Sequence, residues 1–241
     1  MKQIIILFLG LLALVACKKT ETPAPTTPPS SGGTTTTYGD LQTLYIQKYN
    51  NNVFIGYDST VIASFYDYPG GSSSPVYLNA GNVNYNGVSL KSYSTYYRDT
   101  THLVNIHTQN SVWNVSGSNS VSAFSCTYTP TYPVFTGNAL LPDSFSISSG
   151  VTINVSGISN MSQSSISVII SLGGVNVSKS IPINQTSCTF TPNELTSLSP
   201  TASGAVILLT FSNLSTKTLG GKLYGLDNSL EHIKYGVKIK Y

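Results

Sequence analysis

Three histidines are the first candidates for chemistry: His102, His107 and His232. His102 and His107 stand five apart in what reads as a strand and its exit. In a strand that spacing aims the two rings at opposite faces, so they do not converge on one ion. The chain has no His-Glu-x-x-His, no Cys-x-x-Cys and no Asp-rich calcium loop, so no metal is expected. Nucleophilic catalysis needs a Ser or Cys beside a His and an acid. Serines abound, but none sits in a Gly-x-Ser-x-Gly elbow. Phosphate-cradling loops are absent as well. Paired carboxylates would suit glycoside hydrolysis. Asp and Glu together number nine. Asp58, Asp67 and Asp99, in a tyrosine-rich stretch, are the candidates among them. Turn capping is the competing role for each. The expectation is a protein without enzymatic chemistry and without a cofactor.

Binding is better represented than catalysis. Tyr66, Tyr68, Tyr77, Tyr85, Tyr93, Tyr96, Tyr97 and Trp113 could line a sugar-binding face. Aromatic rings stack on the apolar faces of sugars while polar neighbours bond the hydroxyls. Tyr66, Tyr68, Tyr96, Tyr97 and Trp113 are the ligand-binding candidates. The competing reading is that Tyr, a strand former, simply fills half-buried faces. Tyr96 and Tyr97 are adjacent, so in a strand they point both ways and one of them is exposed.

The elements that must position these residues are strands. Charged residues make up 9% of the chain, against about 25% in a typical soluble domain. Ser, Thr, Asn and Tyr must therefore cover the surface, and these types favour turns and strands. Tyr38 to Tyr132 holds 13 of the 16 tyrosines. This half predicts strands near Leu41–Tyr49, Val53–Tyr57, Thr60–Tyr66, Val76–Leu78, Val88–Tyr93, Leu103–Ile106, Ser111–Val115 and Ser120–Thr127. Asn86-Gly87 is a strong hairpin signal, because both residues tolerate positive φ. After Thr129-Pro130-Thr131-Tyr132-Pro133 the composition turns to Ser, Val and Ile. Strands are expected there at Ser144–Ser148, Val151–Ser156, Ser165–Leu172, Val175–Ile181, Ser187–Thr191, Gly204–Phe211, Gly220–Leu226 and Glu231–Lys240. Val168-Ile169-Ile170 and Val206-Ile207-Leu208-Leu209 suit central strands covered on both faces. Thr191-Pro192-Asn193-Glu194 signals one helical turn with Thr as the cap. The fold class is all-β, with two antiparallel β-sandwich domains expected over 38–131 and 132–241. The rhythm of seven or eight short strands makes the second immunoglobulin-like.

The remaining chemistry lies at the N-terminus. Met1-Lys2-Gln3 precedes an apolar run from Ile4 to Ala16, the layout of a secretory signal over residues 1–16. The run is shorter than the ~20 residues that span a bilayer. It ends in Leu14-Val15-Ala16-Cys17, which resembles the bacterial lipobox. That resemblance implies diacylglyceryl transfer to the Cys17 sulfur, cleavage before it and acylation of the new amino group. Several acyl chains hold where one binds only marginally. Residues 17–37 follow as a Thr/Pro-rich linker that cannot bury enough apolar surface to order itself. Removing residues 1–16, with Lys2, lowers the formal charge from +3 to +2, too little for nucleic-acid binding. Lys234, Lys238 and Lys240 form the one basic cluster and read as a solvated face. Lys238 and Lys240 share one side of a strand, opposite Val237 and Ile239. Cys126 and Cys188 read as free, buried thiols, with a disulfide as the alternative.

The layout resembles lipoproteins of the Bacteroidetes that carry tandem β-sandwich domains. The residues behind this are the lipobox at Cys17, the Thr/Pro linker, Val83-Asn84-Tyr85-Asn86-Gly87-Val88-Ser89-Leu90, Trp113-Asn114-Val115-Ser116-Gly117, Gly150-Val151-Thr152-Ile153 and Thr191-Pro192-Asn193-Glu194-Leu195. The resemblance implies an outer-membrane location. Lys18-Lys19-Thr20-Glu21 differs from the acidic stretch of surface-exported members, so the face of the membrane stays open. Asp58-Ser59-Thr60 and Asp99-Thr100-Thr101 resemble the O-glycosylation signal of that phylum, which places sugars on Ser59 and Thr100. The function expected is a lipid-anchored, non-enzymatic binding or structural module of the cell envelope. The partners are the membrane through its anchor and either a glycan or another envelope protein. A carbohydrate-binding accessory lipoprotein and a fimbrial-type subunit are the alternatives.

Overall fold

A computed structural model describes residues 37–68, 74–101, 106, 110–161 and 165–241. Cys17, the linker up to residue 36, His102, His107 and most of the strand expected at Leu103–Ile106 lie outside these residues. The first strands are β1 (Gly39–Asn50), β2 (Val53–Asp67), β3 (Val76–Tyr77), β4 (Val83–Tyr85), β5 (Val88–Ser89) and β6 (Lys91–Ser92). Then come β7 (Tyr97–Arg98), β8 (Ser111–Val115), β9 (Phe124–Tyr128), β10 (Val134–Phe135), β11 (Ser144–Ser146) and β12 (Val151–Asn154). β13 (Ile158–Ser159), β14 (Ser165–Leu172), β15 (Val175–Pro182), β16 (Ser187–Phe190), β17 (Thr201–Leu219) and β18 (Lys222–Lys240) complete the chain. Helical structure among the described residues is limited to 3-10 turns at Asn138–Leu140 and Pro192–Leu195. The second is the expected turn, with the Thr191 N–H donating to Glu194 Oε2 at 2.8 Å.

The fold is all-β and of the sandwich class. One sheet runs β15-β14-β17-β18-β1-β2-β7-β6, with β11 also on β18 and β3 also on β2. A second sheet runs β5-β4-β8-β9, and β10-β13 and β12-β16 form two pairs. β1 pairs with β18 in parallel and with β2 in antiparallel fashion. The composition shift near residue 131 is therefore not a break in the sheet, since strands from both sides of it are hydrogen-bonded neighbours. Residues Thr36–Tyr241 form one compact unit. One buried cluster joins Leu41, Val61 and Leu226 of the large sheet to Tyr85 and Trp113 of β4 and β8 and to Ile153 and Phe190 of β12 and β16.

Alternation explains which face is buried. Leu41, Thr43 and Tyr45 of β1, Val61, Ala63 and Phe65 of β2, and Leu226 and Leu230 of β18 are buried on the inner face. Ile207, Leu209 and Phe211 of β17 are fully enclosed there, each contributing roughly 1.5–3 kcal/mol over an exposed position. Val206, Leu208 and Ile233 point the other way and pack with Ile46, Ile169 and Tyr235 into a smaller outer cluster. The apolar runs in β14 and β17 are thus covered on both faces, as their sequence suggests. Cys126 and Cys188 are free and buried, opposite Trp113 and Ile153 in register.

β17 and β18 are far longer than the short strands expected. Asp227-Asn228-Ser229 falls between the strands expected at Gly220–Leu226 and Glu231–Lys240, yet it continues β18 because its polar side chains find partners inside the sheet. Thr43 Oγ1 donates to Asn228 Oδ1 at 2.8 Å and Tyr128 Oη donates to it at 3.1 Å. Ser229 Oγ donates to Asp227 Oδ1 at 2.6 Å. Gly220 and Gly221 supply the connecting turn at φ 55° and 83°, values that match the twist of a two-residue hairpin. Asn86 and Gly87, at φ 47° and 82°, do the same between β4 and β5, as expected.

The basic cluster is corrected in one member. Lys238 and Lys240 are exposed opposite buried Val237 and Ile239, but Lys234 is 0% exposed. Lys234 shares the inner face with Leu230 and His232, where side-chain alternation sends it into the core. Its ammonium meets Asp143 Oδ1 at 2.7 Å and donates to the Leu141 carbonyl at 2.7 Å and to Asn52 Oδ1 at 3.2 Å. These acceptors make the charge tolerable away from water.

Candidate functional site

The aromatic candidates are mostly structural. Trp113 and Tyr97 are buried on inner faces, and Tyr85 packs edge-on against Trp113 at 4.8 Å. Tyr97 packs edge-on against Phe65 at 5.7 Å. Its hydroxyl donates to Asn79 Oδ1 at 3.0 Å and accepts the Ala80 N–H at 2.8 Å. Tyr66 lies on the outer face, yet its ring is enclosed edge-on by Tyr68 and Tyr77 at 5.7 and 6.2 Å. Trp113, Tyr97 and Tyr66 thus have no ring face open to a sugar, which corrects the expectation for these three. Tyr68 is half-buried, and half-buried Tyr96 stacks on exposed Tyr93 at 4.8 Å. Of the adjacent pair, Tyr97 is inside, while Tyr96, just before β7, is half-buried rather than exposed.

The expected carboxylates are occupied by local structure. Asp58 pairs with Lys48 at 3.1 Å. Asp67 accepts the Tyr68 N–H at 2.8 Å and lies 3.9 Å from Lys222. Asp99 Oδ1 accepts the Thr101 N–H at 2.7 Å and its hydroxyl at 2.6 Å. These are turn and ion-pair roles. The two modification candidates differ: Thr100 is exposed, whereas Ser59 is half-buried within β2 and donates its N–H to Asp58 Oδ1 at 2.8 Å.

A different pair of carboxylates converges on the outer face. Parallel register sets Asp40 beside Gly225 and Gln42 beside Asp227. Antiparallel register sets Ser64 and Ile62 on the far side of β1. Thr216 and Leu214 extend the two rows across β17. These residues floor and wall a cleft of about 750 Å³. Gly225 keeps it open, because a Cβ there would meet Asp40 Oδ1. Gln42 Nε2 donates to Asp227 Oδ2 at 2.9 Å, while Ser229 holds the other oxygen. Tyr66 Oη donates to Asp40 Oδ2 at 2.7 Å and lies 3.1 Å from Thr37 Oγ1. Burial pushes the Asp227 carboxyl above its usual range; bonds from Ser229 and Gln42 oppose this and the Asp40 charge adds to it. Burial likewise raises the Tyr66 phenol. Among the described residues no lysine, arginine or histidine lines the cleft, so it can accept hydrogen bonds from a donor-rich ligand and attract positive charge. Sequence reasoning missed this site because Asp40 and Asp227 come together only through the parallel pairing of β1 with β18. The local signals were Asp40-x-Gln42 and Asp227-x-Ser229, which put two polar groups on one strand face.

Two further titratable groups lie in β18. His232 is buried, with Nε2 2.8 Å from Asn138 Oδ1 and its ring stacked on Tyr49 at 4.7 Å. Burial, and next the Lys234 charge, depress its pKa to about 4. Glu231 points outward between Thr210 and Ile46 in register. Burial raises its pKa to about 7. Among the described residues no three His, Cys, Asp or Glu side chains gather as metal ligands.

No protein-family model and no curated protein matches the chain. Among solved structures, a similar chain is described as "Structural insight into host cell surface retention of a 1.5-MDa bacterial ice-binding adhesin". The two share 8% sequence identity with a TM-score of 0.25, over 85% of this chain and 65% of that chain.

Proposed function

We propose that this chain is a lipid-tethered, non-enzymatic binding module of a bacterial cell envelope, with the Asp40–Asp227 cleft as its binding site. The observation that carries this reading is the pairing of two carboxylates in a cleft lined, among the described residues, by no basic side chain. Such a cleft suits ammonium or guanidinium groups, which an envelope protein presents and a neutral glycan does not. Both oxygens of Asp227 already accept bonds from Gln42 and Ser229. That arrangement favours holding a ligand over exchanging protons with one.

The tether rests on Leu14-Val15-Ala16-Cys17 and the Thr/Pro-rich stretch after it. A lipid on Cys17 would anchor the chain at the outer membrane, with the linker as an extended spacer. Thr100, exposed after an Asp, suits O-glycosylation. Incorporation of a radiolabelled fatty acid in the native host tests the anchor: label is expected in the wild type and absent from Cys17→Ala. Equal labelling of both would overturn it.

Calorimetric titration of the full chain in detergent micelles with lysine- and arginine-rich peptides tests the cleft. Asp40→Asn and Asp227→Asn are each expected to weaken binding about 10- to 100-fold, the scale of a lost charged hydrogen bond. Salt should weaken wild-type binding. Hydrolysis of a glycoside or peptide that Asp227→Asn abolishes would contradict the non-enzymatic reading.

A further inference from the structure

The turn between β1 and β2 carries a second surface. Val53, Phe54, Ile55 and Tyr57 are exposed by 68%, 42%, 55% and 64%, a concentration of open apolar side chains within five positions. A bulge between Lys48 and Tyr49 leaves Phe54 opposite Tyr49 and Tyr57 opposite Gln47. Phe54 and Tyr57 therefore stand on the inner-face side of the sheet, beyond the end of its covered core. Tyr57 stacks on Tyr45 at 5.2 Å and 26°. Phe54 leans on Tyr57 at 4.5 Å and 55° and meets Tyr49 edge-on at 5.4 Å. The Tyr49 ring in turn lies on His232. Phe54 and Tyr57, both exposed to solvent, thus rest on an aromatic base.

The chemistry around the rings is neutral and amide-rich. Gln47 flanks Tyr57, and Asn50, Asn51 and Asn52 form the exposed turn beside Phe54. Lys48 and Asp58 pair with each other on the opposite side of the strands, and the Lys234 ammonium, which donates to Asn52 Oδ1 at 3.2 Å, is buried and matched by Asp143 at 2.7 Å. A second copy of the chain is a poor fit. The four exposed side chains offer on the order of 400 Å², about half of what each partner of a stable interface buries. A bilayer is a poor fit too, because the leading edge of the turn is three asparagines. Aromatic faces flanked by neutral amides match a neutral saccharide, whose C–H faces stack on rings and whose hydroxyls bond to amides.

We infer that Phe54 and Tyr57, backed by Tyr45 and Tyr49, form a stacking site for a neutral oligosaccharide, separate from the Asp40–Asp227 cleft. The 55° angle between the two exposed rings suits neighbouring sugar rings that are rotated relative to each other. The test uses the full chain in detergent micelles, titrated with cellohexaose and maltohexaose as neutral β- and α-linked probes. Binding of at least one is expected, weakened at least tenfold by Tyr57→Ala and by Phe54→Ala. Tyr57→Phe should stay within about threefold, since it keeps the ring. Asp227→Asn should leave sugar binding unchanged, which separates this site from the cleft. Circular dichroism checks that the alanine variants fold. If one does not, Tyr57→Ser and Phe54→Leu take its place. Failure of both hexasaccharides to bind would overturn the inference. So would a dimer, or adhesion to phosphatidylcholine vesicles, that Tyr57→Ala removes.

Discussion

Lys234 is buried in the core, where Asp143, Leu141 and Asn52 surround its amine with oxygen. Removing the ammonium leaves those acceptors and a cavity behind. Lys234→Ala is expected to cost about 1–3 kcal/mol, read from urea denaturation. His232 and Glu231 set opposite pH dependences. His232 titrates near 4 when folded against about 6.5 in an unfolded chain. The unfolded state then binds more protons, so this group removes stability as pH falls from about 6.5 to 4. Glu231 titrates near 7 when folded against about 4.3 unfolded. Here the native state binds more protons, so stability is lost as pH rises from about 4.3 to 7. The two slopes oppose each other and flatten the wild-type curve in that window. Glu231→Gln is expected to gain a few kcal/mol at pH 8 and little at pH 4. Denaturation midpoints across pH should then show the rising His232 slope unmasked.

At the scale of elements, the cleft depends on strand register more than on any single contact. Gly225→Ala places a methyl where Asp40 Oδ1 sits, so it should displace that carboxylate and weaken cleft binding. The sugar site lies at the other end of β1 and should be unaffected. Separate titrations with a basic peptide and a hexasaccharide check both halves of this prediction. Much at this scale was legible in the sequence. Asn86-Gly87, the Thr191–Glu194 turn and the apolar runs of β14 and β17 follow from local rules of conformation and burial. The continuity of β18 through Asp227-Asn228-Ser229 was not legible. It depends on Thr43, Gln42 and Tyr128, partners supplied from distant parts of the chain. The same limit hid the Asp40–Asp227 pair and misassigned Trp113 and Tyr97, whose burial follows from packing across sheets.

For the whole molecule, the first and second halves share one sheet and one core through the parallel β1–β18 pairing. Cutting the chain near residue 131 would strip β18 of its β1 neighbour, so neither half is expected to fold alone. Unfolding of the intact body should be one cooperative transition. Two separated calorimetric transitions, or a folded fragment 132–241, would contradict this. The proposed tether would set this single body at the outer membrane with its acidic cleft on one sheet face and its aromatic turn on the other. The central claim is that the cleft binds. The most direct measurement is a calorimetric titration of the full chain with an arginine-rich peptide, wild type beside Asp227→Asn. The account predicts salt-sensitive binding that weakens about 10- to 100-fold in the variant. Equal affinity in both proteins, or no heat of binding in the wild type, would contradict it.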